Sequence, residues 1–190
     1  MNKTILISIA FLWFPLFANV SHCQHTKFLG MALEYQFSSL DNHLRQKGFE
    51  HITTKENNEE KKTIHWFRGN IYDIPCTVSV HVDNITKLPF RIYAIADEKT
   101  DTSSVFYDYC RFQQYITDDA GSSADSTAII KIDKTDTKYS MDGLSCYYPQ
   151  NGILLRIKSN KENGKTLYQT VMVISDRSNE ERHKNSLNVK

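Results

Sequence analysis

The chain has 190 residues, 23 basic and 22 acidic, for a net charge of +1, with four cysteines. Charge this balanced, with no basic stripe, excludes the electrostatic footprint of a nucleic-acid binder. Four cysteines in so long a chain exclude a small disulfide scaffold, and the length suits one domain with a hydrophobic core.

At the N-terminus, Lys3 precedes an apolar run from Ile5 to Phe17 in which Ser8 is the one polar residue. That is the pattern of a secretory leader, residues 1–23. As a membrane anchor the run falls short of the roughly 20 apolar residues a span requires, and Pro15 interrupts it. Cleavage after Cys23 leaves Ser21 and Cys23 as the small residues the peptidase needs, so the mature chain is expected to start at Gln24. The alternative start is a lipid-modified Cys23, although His22 stands where a lipoprotein signal has a small residue. No later stretch is apolar enough to span a bilayer, so the expected location is periplasmic or extracellular.

The first mature element is a short amphipathic helix. Phe37, Leu40 and Leu44 recur at helical spacing, Ser38 or Ser39 is available as N-cap, Arg45 and Lys47 favour the C-terminal end, and Gly48 is the stop. The period then changes to two. Ile64 and Trp66 begin a strand, Gly69-Asn70 reads as a turn, and Cys76, Val78, Val80 and Val82 alternate with Thr77, Ser79 and His81. After a turn from Asp83 to Lys87, Leu88, Phe90, Ile92, Ala94 and Ala96 share one face of the next strand. Thr102-Ser103-Ser104 opens a second helix, whose Val105, Tyr109, Phe112 and Ile116 form a stripe that should pack on a sheet. Beyond a linker from Gly121 to Ser126, four strands are expected at Ala128 to Asp133, Leu144 to Tyr148, Ile153 to Lys158 and Leu167 to Ser175. Turns fall at Pro149 to Gly152 and Asn160 to Gly164. Residues 176–190 are polar and charged and read as a mobile tail.

These elements predict an α+β domain over residues 24–175: a curved antiparallel sheet with two helices on one face, in the order helix, three or four strands, helix, about four strands. Cys76 and Cys146 fall on apolar strand faces and Cys110 on a helix, which leaves a cross-sheet bridge or three separate buried thiols as the two outcomes.

Phe28-Leu29-Gly30, the helix closing on Lys47-Gly48-Phe49, and Phe67-Arg68-Gly69 ahead of the strand through Cys76 resemble a family of small uncharacterised secreted proteins of Bacteroidetes. The helix from Tyr109 to Tyr115, Asn151-Gly152-Ile153-Leu154-Leu155 and Ile174-Ser175-Asp176 to Asn179 extend the resemblance over nearly all the mature chain. The sequence departs from that pattern at Met31-Ala32-Leu33, where Ile-Pro and a glycine are usual, and at Asp118 to Gly121, where Lys-Tyr-Gly is usual. The resemblance implies export and carries over no functional residue. The architecture is also similar to β-lactamase-inhibitor-like folds, which bind proteins, by shape alone.

Catalytic patterns are missing from the sequence. There is no G-x-S-x-G, no H-E-x-x-H and no phosphate-cradling glycine motif, so neither a metal nor a cofactor is expected. The adjacent carboxylates Asp97-Glu98 and Asp118-Asp119 point in different directions and read as solvated groups. His65 and His81 lie on or beside the sheet with no second ligand at metal spacing. His81 could share a polar face with Thr77 and Ser79, which would make a site if a carboxylate held the imidazole in a pocket. The expectation is a non-enzymatic binding or accessory protein of the cell envelope whose partner is a protein or a glycan. Tyr72, Tyr93, Tyr147 and Tyr148 are its contact candidates, because exposed tyrosines add contact area at low entropic cost. The alternative is an envelope hydrolase using dispersed carboxylates and His81.

Overall fold

A computed structural model describes residues 25–120, 145–148, 151–162 and 164–188. The expected leader with Cys23, the expected linker from Gly121, the strand expected at Ala128 to Asp133 and the Pro149-Gln150 half of an expected turn lie outside the described residues. A small hairpin, β1 (Lys27–Phe28) and β2 (Met31–Ala32), precedes helix α1 (Phe37–Gln46). Strands β3 (Glu50–Asn57), β4 (Lys62–Ile71), β5 (Ile74–Asp83) and β6 (Pro89–Ala96) follow, then helix α2 (Thr102–Ala120). Strands β7 (Ser145–Tyr148), β8 (Ile153–Glu162) and β9 (Lys165–Ser175) lead into helix α3 (Arg177–Asn188). The larger sheet is antiparallel throughout, in the order β3-β4-β5-β6-β9-β8-β7. This is the α+β architecture that the alternating periods predict.

The ends of α1 show which local signals govern it. Its C-terminus is a Schellman motif: Phe49 N–H donates to the Leu44 carbonyl, Gly48 N–H donates to the Arg45 carbonyl, and Gly48 takes φ +85°. At the N-terminus the cap position is Gln36, which makes no side-chain capping bond, so Ser38 and Ser39 lie inside the helix rather than capping it. Packing sets that start instead, since the Phe37 ring stacks on His65 at 3.8 Å. Leu40 and Leu44 are fully buried, as their spacing predicts. Helix α2 is capped by Asp101, whose carboxylate accepts bonds from the Ser103 and Ser104 N–H groups.

Gly69-Asn70 is not a turn. Gly69 sits within β4 opposite Cys76, and the Phe49 ring lies so close over it that a Cβ would not fit. The chain turns two residues later at Tyr72 and Asp73, both at positive φ (45° and 66°). Val78, Val80, Ile92, Ala94, Leu155, Met172 and Ile174 line the inner face of the sheet, and Val105, Tyr109, Phe112 and Ile116 of α2 join the same core. Phe90 stands outside that core, because the register shift between His81 and Val82 makes it the extra residue of a bulge and its ring stacks on His183 at 4.2 Å. Cys76 and Cys146 are buried and Cys110 is exposed, and all three are free thiols. No cross-sheet bridge forms, and Cys110 is not a core residue.

Residues 176–188 are not a mobile tail. They form α3, which crosses one end of the sheet face opposite α1 and α2. Asp176 caps it by accepting the Asn179 N–H on Oδ1, while Oδ2 accepts from Thr26 N–H and lies 2.9 Å from His25 Nδ1. Asn179 donates to the Leu33 and Pro89 carbonyls, Glu180 pairs with Arg91, and His183 Nδ1 lies 2.7 Å from Asp83 Oδ2. Polar anchors do here what an apolar stripe does for the other helices.

Candidate binding face

Residues directly paired across an antiparallel ladder project to the same side of a sheet. Applied across all seven strands, the register puts Thr53, Trp66, Ser79, Tyr93, Val173, Leu154 and Tyr147 in one row, from β3 to β7. That row lies on the face away from α1 and α2. The next row holds Glu50, Arg68, Thr77, Ile95, Val171, Arg156 and Ser145. Among the described residues no helix packs over the middle of these rows; α3 walls their border, with Arg91 reaching Glu180 and Arg177 donating to the Tyr147 hydroxyl.

Trp66 and Tyr93 are half-buried and stand on either side of Ser79, which is 6 % exposed and forms the floor between them. Two strand spacings, about 10 Å, separate their backbones. The result is an aromatic-walled notch with a hydroxyl floor, continued along β5 by Thr77 and His81. Tyr147, 41 % exposed, ends the same row at the opposite side of the sheet.

The four tyrosines expected as contacts therefore divide. Tyr93 and Tyr147 share the open face. Tyr148, one residue on from Tyr147, points inward and is 3 % exposed, where burial pushes its hydroxyl up, so it is a core residue and not a contact candidate. Tyr72 sits in the β4–β5 turn, donates to Asp118 at 3.0 Å and lies beneath the Arg111 guanidinium. It lines a separate cleft of about 260 Å³ with Tyr115, Asp118 and Asp119. In that cleft Asp119 accepts from the Tyr115 hydroxyl and the Gly30 N–H, and Tyr115 accepts from the Leu29 N–H. Those bonds tie the β1–β2 turn to the end of α2, so this carboxylate is engaged in holding the fold.

His81 does share its side of the sheet with Ser79 and Thr77. No carboxylate lies within hydrogen-bond reach of it among the described residues. Its ring tilts against Tyr93 at 5.1 Å, and burial, then the Lys62 and Arg91 charges, push its pKa down to about 4. Glu60, the nearest acidic influence, is paired with Lys62. The dyad that a hydrolytic site at His81 needs is not formed. His65 faces inward under Phe37 instead of outward, and its Nδ1 lies 3.0 Å from Thr54 Oγ1, which is 2.9 Å from His51 Nε2. Burial, then His51, lowers the His65 pKa. The Asp83, His183 and Ser186 cluster resembles a triad in composition only: Ser186 Oγ donates to the same Asp83 oxygen that His183 uses, and it bonds the His183 carbonyl and not its ring, so the imidazole is not placed to activate the hydroxyl.

Sequence patterning marked Tyr93 and Tyr147 but missed Trp66, which the β4–β5–β6 register sets beside Tyr93, and Leu154, which pairs with Tyr147; β9, inserted between β6 and β8, joins the two pairs into one row. No family model, curated protein or solved structure matches the chain.

Proposed function

We propose that this chain is an exported binding or accessory protein of the cell envelope and that the open sheet face is its contact surface. The observation that carries the reading is the cross-strand row of Trp66, Tyr93, Leu154 and Tyr147 on a face whose middle no described helix covers. Half-buried aromatic and aliphatic side chains of this kind supply contact area at small entropic cost, since their neighbours in the sheet already hold them. Among the described residues the face offers hydroxyls and cations around the aromatics and no nucleophile held by a base, which suits recognition rather than turnover.

Exposed aromatics on α2 make the competing surface: Phe106 is 47 % and Tyr107 58 % exposed. A photo-crosslinking residue at position 93 or 147, compared with one at position 107, tests the choice in intact envelopes. Adducts from 93 and 147 support the sheet face, and adducts from 107 alone overturn it.

A further inference from the structure

The open face carries a charge asymmetry. On β8, Arg156 and Lys158 project to the same side as Leu154 and continue the face away from α3. Arg156 Nε is buried with no hydrogen-bond partner, and burial together with the Arg156 charge lowers the Lys158 pKa. Most other cations on the face are neutralised: Arg68 makes a bidentate pair with Asp97 at 2.6 Å, Arg91 pairs with Glu180, and Lys62 with Glu60. Glu50 and Lys55 stand on β3, four strands from β9, with opposite signs, and Glu162 faces Lys165 at the end of the β8–β9 hairpin. Beside the aromatic row, then, two repelling cations stand with no anion paired to them among the described residues.

The sheet also limits what can lie on it. In the rows of Trp66 and Arg68, backbone groups of β4, β5, β6, β9 and β8 are committed to ladders on both sides, so a ligand over these rows meets side chains only, whereas Ile157–Glu162 of β8 pair with β9 alone. An extended polypeptide gains its affinity from main-chain bonds at a sheet edge, which the two rows in the middle of this face do not offer. A chain of sugar rings has no amide groups to satisfy. It requires aromatic walls, hydroxyl partners and, when acidic, a cation.

The geometry points to an acidic oligosaccharide as the ligand of this face, laid across the strands with one ring over Ser79 between Trp66 and Tyr93 and a carboxylate on Arg156 and Lys158. This assignment rests on the open face being the contact surface. From Ser79 on β5 to Arg156 on β8 is three strand spacings, about 14 Å, so an oligomer, and not a single sugar, spans both parts. Arg156 supplies a planar fork for a carboxylate and Lys158 a second charge.

Trp66 is the one tryptophan besides Trp13 of the leader, and it stands in the notch, so its fluorescence reports occupancy. The exported chain is titrated with a hexamer of galacturonic acid, with the neutral galactose hexamer, and with hexaglutamate. The acid hexamer is expected to give a saturable change, weakened at least about tenfold by R156A/K158A and by loss of the carboxylates, as removal of a charge-assisted contact implies. Circular dichroism checks that the double variant keeps its fold. Equal affinity for both sugars overturns the cationic subsite, and hexaglutamate bound as tightly as the acid hexamer overturns the carbohydrate assignment. If neither sugar binds, the inference fails; crosslinks at position 93 would then still leave the face as a contact surface, whereas crosslinks at 107 alone remove both.

Discussion

Asp83 joins three parts of the chain, and its replacement by Asn tests whether α3 is held by charge. Its Oδ1 accepts from Ile85 N–H, Thr86 N–H and the Thr86 hydroxyl, which closes the β5–β6 turn. Its Oδ2 takes the bonds to His183 and Ser186. Burial alone would raise this carboxyl, but the bonds from His183, Thr86 and Ser186 outweigh it and hold the pKa down at about 2, against 3.8 when unperturbed. A gap of nearly two units corresponds to about 2.5 kcal/mol. Because the folded pKa is depressed, that stability is present above pH 3.8 and is lost as the pH falls through about 2. Urea unfolding of the native chain, followed by Trp66 fluorescence from pH 5 to 2, should show this increment on top of the acid sensitivity of the other carboxylates. Asp83→Asn should lack the increment and be less stable at pH 5 by a comparable amount. Equal losses in both proteins between pH 4 and 2 would refute the charged clasp.

Leu44→Ala removes a fully buried side chain from α1 and should cost about 2–5 kcal/mol in equilibrium unfolding, whereas an unchanged midpoint would put the helix on the wrong face. Gly69→Ala drives a methyl into the Phe49 ring and should cost about 1–3 kcal/mol, part of which a Phe49→Leu change in the same protein should recover. Cys110 should react with a thiol reagent in the native state, while Cys76, whose pKa burial pushes up to about 12, and the buried Cys146 should react only on unfolding; labelling followed by mass spectrometry checks the order. His81 should stay neutral down to about pH 4 in a proton NMR titration. Since the unfolded chain takes up that proton near pH 6.5, His81 contributes a loss of stability as the pH falls from 6.5 toward 4, and a native midpoint near 6.5 would contradict the burial argument.

Legibility in the sequence follows the cause of each element. Period two exposed β5 and β6 because one side of each faces an apolar core, and period 3.6 exposed the α2 stripe for the same reason. Strand β3 was illegible: at the sheet edge both its sides are partly wet, Ile52 sits in a bulge 55 % exposed, and EHITTKEN carries no alternation. Helix α3 was illegible because its buried residues, Asn179 and His183, are polar and find their partners at Leu33, Pro89 and Asp83, about 90 to 150 residues away. For the same reason the proposed contact face did not show itself. Tyr147 and Tyr148 differ only in which side of β7 they occupy, and Trp66 joins Tyr93 only through a register that local spacing does not encode.

The short motifs of this chain and its open face lie in different parts of the structure. Leu29-Gly30 makes the β1–β2 turn that Asp119 and Tyr115 hold, Gly48-Phe49 ends α1 and covers Gly69, Gly152 packs its backbone against the Ser175 carbonyl, and Asp176 with Asn179 anchors α3. Each joins two elements that the chain brings together from afar. Of the residues in those motifs, Arg68 and Leu154 project onto the open face between its borders, and Arg68 is neutralised by Asp97. Trp66, Ser79, Tyr93, Arg156 and Lys158 stand outside them. A side chain on the open face is constrained by its neighbours in the row, not by the core, so Trp66, Tyr93, Arg156 and Lys158 can change without disturbing the packing that Phe49, Gly69 and Leu44 maintain. The architecture and the proposed contact surface are thus separable in this chain, and substitutions on the face should cost little in stability while altering any binding it mediates.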